Sequence, residues 1–529
     1  MRVTGSRIRW FWAAALALTA CAPQELAFFA RTTPSTAGLH SETPPEPTLG
    51  SGQGDAEPSR SGAADEAGIG SPPGAQSPEA APRQAIDDEA VDDEEGAHEP
   101  AVAAVSTPLF GPEPPSPEGP DGSPPFLPGS GLLQLPNEHA LDTLYAALAR
   151  TEAREPGAIT RIMHMGDSSI GLDQFPNMLR THFRRRFGGA GAGFVLVQPH
   201  SGNYRNALME LSVTSPWDYC FIIRRCRRDG HYGLGGVTFR NHGSSQSRLR
   251  TRRHGPGSSV THFELWYAAQ PGGGRVLVQI DRQEPELLET DAEQLEDRWK
   301  SWELEPGRHA FRIRAAGGGP VRVYGAVMED EGPGVVWDTL SMIGAFMRRL
   351  LGYDAEHFAR QIEQRNPDAL FLNYGGNDMR RLAMSRVSFE GFEREIRDVI
   401  HLLRASRPEL PCLLVGINDR SHSGQQEIED WLMHRAVQTQ REAAFGEGCG
   451  YFDTYRAMGG QGSYERWVQQ GLVSRDGVHL TFDGRQIIAR LLYAELMAGY
   501  EQWTAAHQRA LVPETEHALR AADTLPPPS

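Results

Sequence analysis

Lysine is almost missing from this chain: of its 52 basic residues only Lys300 is a lysine, and the rest are arginine. That scarcity argues against Schiff-base chemistry and against a phosphate-loop lysine. No Cys-x-x-Cys, no His-Glu-x-x-His and no clustered metal-ligand spacing occurs, so neither a metal nor a cofactor is predicted. The apolar run Trp10–Ala20 falls short of the roughly 20 residues that span a bilayer. A basic cluster, Arg224, Arg225, Arg227 and Arg228, lacks interleaved aromatics. It reads as a solvated loop, with contact to anionic glycan or phosphate groups as the alternative; a nucleic-acid partner is not expected.

What is present begins with Arg2, Arg7 and Arg9 ahead of that apolar run, the pattern of a secretory signal over residues 1–21. Its end, Leu18-Thr19-Ala20-Cys21, resembles the lipobox of bacterial lipoproteins, and Ala22 after it implies outer-membrane sorting. The reading is an exported protein anchored by lipid on Cys21, with membrane contact through that anchor only; an ordinary cleaved signal is the alternative. Residues 22–135 are dense in Pro, Gly, Ser and Ala and read as a disordered linker. They hold 19 acidic and three basic residues, a net of -16 that equals the whole-chain charge. The remainder is therefore electrically balanced, and the acidic pI carries no information about a partner of the folded part. Four cysteines remain, and an oxidising compartment favours pairing them; Cys220 with Cys226 and Cys412 with Cys449 is the preferred of three arrangements, four buried thiols being the alternative.

Order is expected from Asn137, an N-cap before Leu141, Leu144, Tyr145 and Leu148 at helical spacing. A strand over 161–165 and a helix carrying Phe175, Met178, Leu179, Phe183 and Phe187 open a parallel α/β unit over 136–204. From 205 to 332 short alternating runs separated by "PGGGR" and "GGGPV" read as an inserted antiparallel β-sandwich. The helix–strand rhythm returns over 333–505: "DALFLNY" (368–374), a helix with Phe392, Ile396, Val399 and Leu403, "PCLLVGI" (411–417), a helix with Ile428, Trp431 and Leu432, "GYFD" (450–453), and a last helix with Ile487, Ile488, Leu491, Leu492 and Leu496. Residues 506–529 are left as a tail. In the insert Trp266, Tyr267, Trp299 and Trp302 are read mainly as sandwich core, with stacking on sugar rings as the alternative.

Three short motifs fall where a parallel sheet places its active site, at the carboxyl ends of strands. They are Gly166-Asp167-Ser168, Gly375-Gly376-Asn377-Asp378 and Asp476-Gly477-Val478-His479. Ester cleavage through a covalent intermediate needs a hydroxyl nucleophile, a base beside it, a carboxylate orienting the base, and donors for the oxyanion. Ser168, His479, Asp476 and Asn377 can supply these in turn. Each has a structural alternative: Ser168 as an N-cap, Asn377 and Asp378 as an Asx turn, Asp476 and His479 as surface loop. Their joint placement favours chemistry. His164 reads as a core histidine, and Asn418 and Asp419 as turn residues that could line the cleft.

In this order the three blocks resemble the SGNH (GDSL-type) hydrolase superfamily. More narrowly, "GDSSIGLDQFPNMLRTHFRRRFGGAGAGF", "GVVWDTLSMIGA" and "MGGQGSYERWVQQGLVSRDGVHLT" are similar to the branch of Gram-negative peptidoglycan O-acetylesterases. The resemblance implies a three-layer α/β/α, flavodoxin-like parallel sheet interrupted by a jelly-roll insert related to carbohydrate-binding modules. It further implies a nucleophile at Ser168, a base at His479, an orienting acid at Asp476, and an oxyanion hole built from the Ser168 amide, the Gly344 amide and the Asn377 side chain. Two positions depart from the branch: Ser169 stands where histidine is frequent, and Ile343 precedes Gly344 where the branch has asparagine. The function expected is an exported serine esterase removing O-acetyl groups from a cell-wall or extracellular polysaccharide, foremost peptidoglycan, without a cofactor. The alternatives are an O-acetyltransferase with the same triad and a non-catalytic glycan-binding lipoprotein.

Overall fold

Strand β1 (Leu133–Gln134) opens the computed structural model, which describes residues 130–522 apart from 242–243 and 424–425, with side chains through 507. The signal segment, Cys21 and linker residues 22–129 lie outside the described residues. Strands β2 (Ile159–Gly166), β3 (Gly334–Ser341), β4 (Ala369–Asn373), β5 (Cys412–Val415) and β6 (Gly450–Phe452) complete a six-stranded sheet in the order β1-β6-β5-β4-β2-β3. Neighbours run parallel except β1 beside β6. The strands are near-continuous apolar runs because both faces of a parallel sheet are covered. Ile162, Trp337 and Phe371 face helices α1 (Asp142–Glu152), α2 (Gln174–Phe187) and Phe482–Ala522, while Met163, Met165 and Leu370 face α3 (Ala355–Arg365), α5 (Phe389–Leu403) and α6 (Asp430–Gly446), with the short α4 (Asp378–Ala383) lying between. Three layers result. No helix among the described residues is long and apolar enough to cross a membrane.

The chain leaves this sheet after α2 and returns at β3. Between them two antiparallel sheets pack as a sandwich, one ordered Glu286–Glu289, Arg275–Ile280, Ala310–Ala315, Gln246–Thr251, Met209–Ser215, the other built around His262–Ala269 and Arg322–Glu329. Buried and half-buried residues alternate along Gln246–Thr251 and Arg275–Ile280, as one-sided strands require. Trp266 is fully buried and Tyr267 nearly so, and Trp299 and Trp302 pack partly buried against the same core.

Several expected boundaries move. The sandwich starts before 205: Gly191–Val195, placed with the first α/β part, pairs antiparallel with Arg322–Glu329. Residues 130–135, placed in the linker, include the edge strand β1, whose Leu133 lies opposite Phe452. Asn137 caps no helix; its side chain accepts from the His139 N–H, and α1 starts at Asp142. The helix assigned an end near 505 continues through Ala522. Trp431, expected on the inner face of α6, is 58% exposed.

A buried ionic junction joins sandwich and sheet. Glu329, on the last strand of the insert, is paired with Arg161 of β2 (2.8 Å) and Arg365 of α3 (2.7 Å), and Arg365 reaches Asp338 of β3 at 2.6 Å. Asp338 also accepts from the Phe194 N–H at 2.7 Å, so the first insert strand is tied to the same point. Burial works against ionised Glu329, but the two guanidiniums outweigh it and hold its carboxyl down at about 2, from an ordinary 4.5. The covalent framework adds Cys220–Cys226 in the insert and Cys412–Cys449 between β5 and the entry to β6.

Because the folded-state pKa of Glu329 is depressed, its stabilisation is complete above pH 4.5 and lost as pH falls through 2. Glu329→Gln is expected to lower stability at pH 7 by about 3 kcal/mol, the cost of breaking a buried pair. The gap to the parent should narrow steadily below pH 4.5 in denaturant titrations followed by circular dichroism.

Candidate active site

The end of β2 sets the site. Register places Ser341 and Asn373 on either side of Gly166, so β2, β3 and β4 release their chains at one level. Gly166 is required there, since a Cβ would lie 2.9 Å from the Asn373 carbonyl oxygen and from Ile170 Cγ1. The following turn, Ser168–Asp173, is capped by Asp167, which accepts from the Ser169 N–H (2.8 Å) and the Ser169 hydroxyl (2.7 Å). The capping role considered for Ser168 thus falls to its neighbour. The Ser168 hydroxyl instead lies 2.7 Å from His479 Nε2.

That turn is held under backbone tension. Leu172 and Asp173 are consecutive left-handed residues, with φ of 59° and 57°. The Leu172 N–H donates to the Asn203 carbonyl at 2.7 Å. Buried Asp173 takes two hydrogen bonds of 3.0 Å from Arg180, one of 2.7 Å from the Thr339 hydroxyl and one of 2.7 Å from the Ala207 N–H. The Ser168 turn is thereby anchored to α2, to β3 and to the early part of the insert.

On the loop ahead of the last helix, Asp476 Oδ1 accepts from the Ser474 hydroxyl (2.6 Å) and from the N–H groups of Val478 (2.9 Å) and His479 (3.0 Å). Its Oδ2 lies 2.7 Å from His479 Nδ1. Partial burial pushes the Asp476 carboxyl up, but hydrogen bonds from His479, Ser474 and Val478 outweigh it and hold the group well below the usual carboxylate range. An ionised Asp476 keeps the hydrogen on Nδ1 and leaves Nε2 free to accept from Ser168.

The residues expected as oxyanion donors lie on the segments that follow β3 and β4. Gly344 is exposed in a turn just beyond β3 with φ of +77°, a conformation that favours glycine. The Met342 N–H donates to the Gly166 carbonyl at 2.7 Å, lacing that turn to the end of β2. Ile343 covers Gly171, where a Cβ would sit 2.9 Å from Ile343 Cδ1, so the departure at 343 is accommodated by packing on the Ser168 turn. Asn377 makes no capping bond to α4; its NH₂ donates to Asp167 Oδ2 and to the Ala345 carbonyl, both at 3.2 Å. Asp378 is fully buried, accepts from the Met347 N–H (3.2 Å) and Arg381 (2.9 Å), and is pushed up to about 6 by burial. It braces the segment after Gly344.

His164 is enclosed by the rings of Phe175, Trp337 and Phe371, and burial pushes it down to about 3. Asp419 accepts from the Ser463 hydroxyl and the Tyr464 N–H, both at 2.9 Å, a capping role. Asn418 donates to the Val478 carbonyl at 3.1 Å, inside the histidine loop. Arg224, Arg225 and Arg228 are exposed, and Arg227 is half-buried. Two site residues had no role assigned from sequence: Asp167, inside the first motif, and Arg420, buried five positions beyond β5. The only signal for Arg420 was its position past a strand's carboxyl end.

Among the described residues one His/Asp group could be considered for a metal: donor atoms of His231, Asp297 and His357 lie within 4.8 Å of one another. The Gly233 N–H donates to His357 Nε2 at 3.0 Å, which leaves the ring hydrogen on Nδ1, 2.8 Å from Asp297. That nitrogen would have to lose a proton before it could ligate, so the group does not fit a metal as it stands.

Residues 311–487 match the model of the GDSL-like lipase/acylhydrolase family. A structure described as a peptidoglycan O-acetylesterase in action matches with a TM-score of 0.58 at 20% identity, over 70% of this chain and 100% of that one. A lipase/acylhydrolase from Enterococcus faecalis (TM-score 0.25, 17% identity, 31% of this chain and 76% of that one) and a family two carbohydrate esterase from Cellvibrio japonicus (0.23, 10%, 56% and 99%) match less fully. No curated protein matches. The first of these structures shares the fold over that 70% of the chain.

Asp476→Asn leaves the shape of the loop but loses the charge that selects the Nδ1–H tautomer. It is expected to lower kcat on 4-nitrophenyl acetate on the order of 10³- to 10⁴-fold, with circular dichroism and melting temperature close to the parent.

Proposed function

We propose that this chain is a GDSL/SGNH-type carboxylic ester hydrolase that removes O-acetyl groups from a cell-wall or extracellular polysaccharide, with O-acetylated peptidoglycan the leading substrate. The observation that carries the chemistry is the continuous line Asp476 Oδ2–His479–Ser168 Oγ, with both contacts at 2.7 Å. In this reading Ser168 Oγ attacks the acetyl carbonyl while His479 Nε2 takes its proton. The tetrahedral oxyanion forms between the Ser168 N–H, the Gly344 N–H and the Asn377 amide, which turns one hydrogen away from its present acceptors. His479 then gives its proton to the departing sugar oxygen. Water, activated by the same imidazole, releases acetate from acetyl-Ser168.

Two features support a polymeric substrate. The nucleophile side chain is accessible from solvent, and an open groove of about 660 Å³ runs along Gln198, His200, Arg205, Leu211, Val213 and Tyr219. The Asn203 carbonyl that holds Leu172 belongs to the loop forming one wall of that groove. The signal pattern and Cys21 support export and lipid anchoring, which would set the enzyme at the envelope with its folded part reaching outward on the linker.

The test compares the purified protein with Ser168→Ala on 4-nitrophenyl acetate and on O-acetylated peptidoglycan. Acetate release from both by the parent and from neither by the variant is the expected result. Equal background release by both proteins contradicts the catalytic reading; release from the small ester alone contradicts the peptidoglycan assignment.

A further inference from the structure

Arg420 is a buried cation, 5% exposed, at the junction of two catalytic loops. Its Nη1 donates to the Gly376 carbonyl at 3.1 Å, within the Gly-Gly-Asn-Asp segment that carries Asn377. Its Nη2 donates to Asn418 Oδ1 at 2.5 Å, and its Nε reaches the Asn418 carbonyl at 3.4 Å. Asn418 uses its own NH₂ to hold the Val478 carbonyl at 3.1 Å, one residue before His479. The approach is close: a Cβ on Gly376 would meet Arg420 Nη2 at 2.9 Å. Next door, Asp419 is fixed by Ser463 and Tyr464, so the segment 418–420 is held on both sides. Arg420 and Asn418 together thus link the Asn377 loop to the His479 loop.

The charge balance points the same way. Asp167, Asp476 and Asp419 lie within electrostatic reach of Arg420 and favour its charge against the burial that opposes it. Asp167 is 1% exposed and accepts from Asn377, the side chain assigned to the oxyanion. A buried carboxylate beside a developing oxyanion opposes it, in a medium where charges act strongly. A cation within electrostatic reach of Asp167 offsets that opposition.

We propose that Arg420 is a positioning residue for acyl transfer: it sets the spacing of the Asn377 and His479 loops through Gly376 and Asn418, and its charge offsets buried Asp167 beside the oxyanion site. The proposal rests on the reading of Ser168 as nucleophile. It is tested with Arg420→Gln, Arg420→Lys and Asn418→Ala, measuring melting temperature, kcat and KM on 4-nitrophenyl acetate, and the rate at which a fluorophosphonate labels Ser168. Misplacement of a catalytic loop costs on the order of 10²-fold. Arg420→Gln is therefore expected to lower kcat and the labelling rate by about that factor, with KM within about threefold. Arg420→Lys, which keeps the charge and loses the fork, should recover about tenfold.

A folded Arg420→Gln with kcat within about threefold of the parent overturns the proposal, as does a loss that Arg420→Lys fails to recover. If Arg420→Gln does not fold, Asn418→Ala decides: a fall of about tenfold in both kcat and labelling rate supports the tether, and no change overturns it. Should the parent be labelled at Ser168 yet release no acetate, the esterase reading fails while the labelling rates still judge Arg420.

Discussion

A single hydrogen bond of 2.7 Å, between Ser168 and a histidine 311 positions further along the chain, is the constraint on which the rest of the structure bears. Neither partner sits on regular secondary structure long enough to hold it in place. Each is carried on a turn whose geometry is set by carboxylates: Asp167 and Asp173 for the serine, Asp476 for the histidine. Register between β2, β3 and β4 brings the ends of three strands to one level, and the turns bridge the remaining distance. The fold thus supplies the coarse placement, and short polar bonds supply the final ångström on which proton transfer depends.

Arginine recurs at each of these fixed points. Arg180 holds Asp173, Arg365 holds Asp338 and Glu329, Arg381 holds Asp378, and Arg420 lies within electrostatic reach of Asp167 and Asp476. Buried carboxylates require partners with several directed donors, and the guanidinium fork provides them where an ammonium offers a single point charge. In a chain with one lysine this use of arginine gives the site a rigid ionic frame. The same frame joins the sandwich to the parallel sheet at Glu329, so the insert is anchored close behind the strands that carry the site.

Much of this was legible in the residues. The strand-ending motifs identified Ser168, Asn377, Asp476 and His479, because each follows an apolar run or precedes an apolar helix, and the structure brings all four into one neighbourhood. The texture change marked the insert, but not its first strand: Gly191–Val195 is short and apolar, and such a run fits a parallel strand as well as a sandwich strand. Asn137 carried an N-cap signal that an Asx turn uses equally well. Arg420 and the capping role of Asp167 were not legible, because long-range polar partners leave no periodic trace. Trp431 fitted a helical apolar stripe, yet its ring lies at the surface near Phe389, where the helix face turns outward.

The account stands or falls on whether Ser168 is a nucleophile activated by His479. The most direct measurement is peptide mapping by mass spectrometry after stoichiometric reaction with a fluorophosphonate, on the parent and on His479→Ala. A single adduct on the peptide containing Ser168, formed far more slowly in His479→Ala, is the result predicted. An adduct on another residue, or labelling of Ser168 at the same rate without the imidazole, would contradict it.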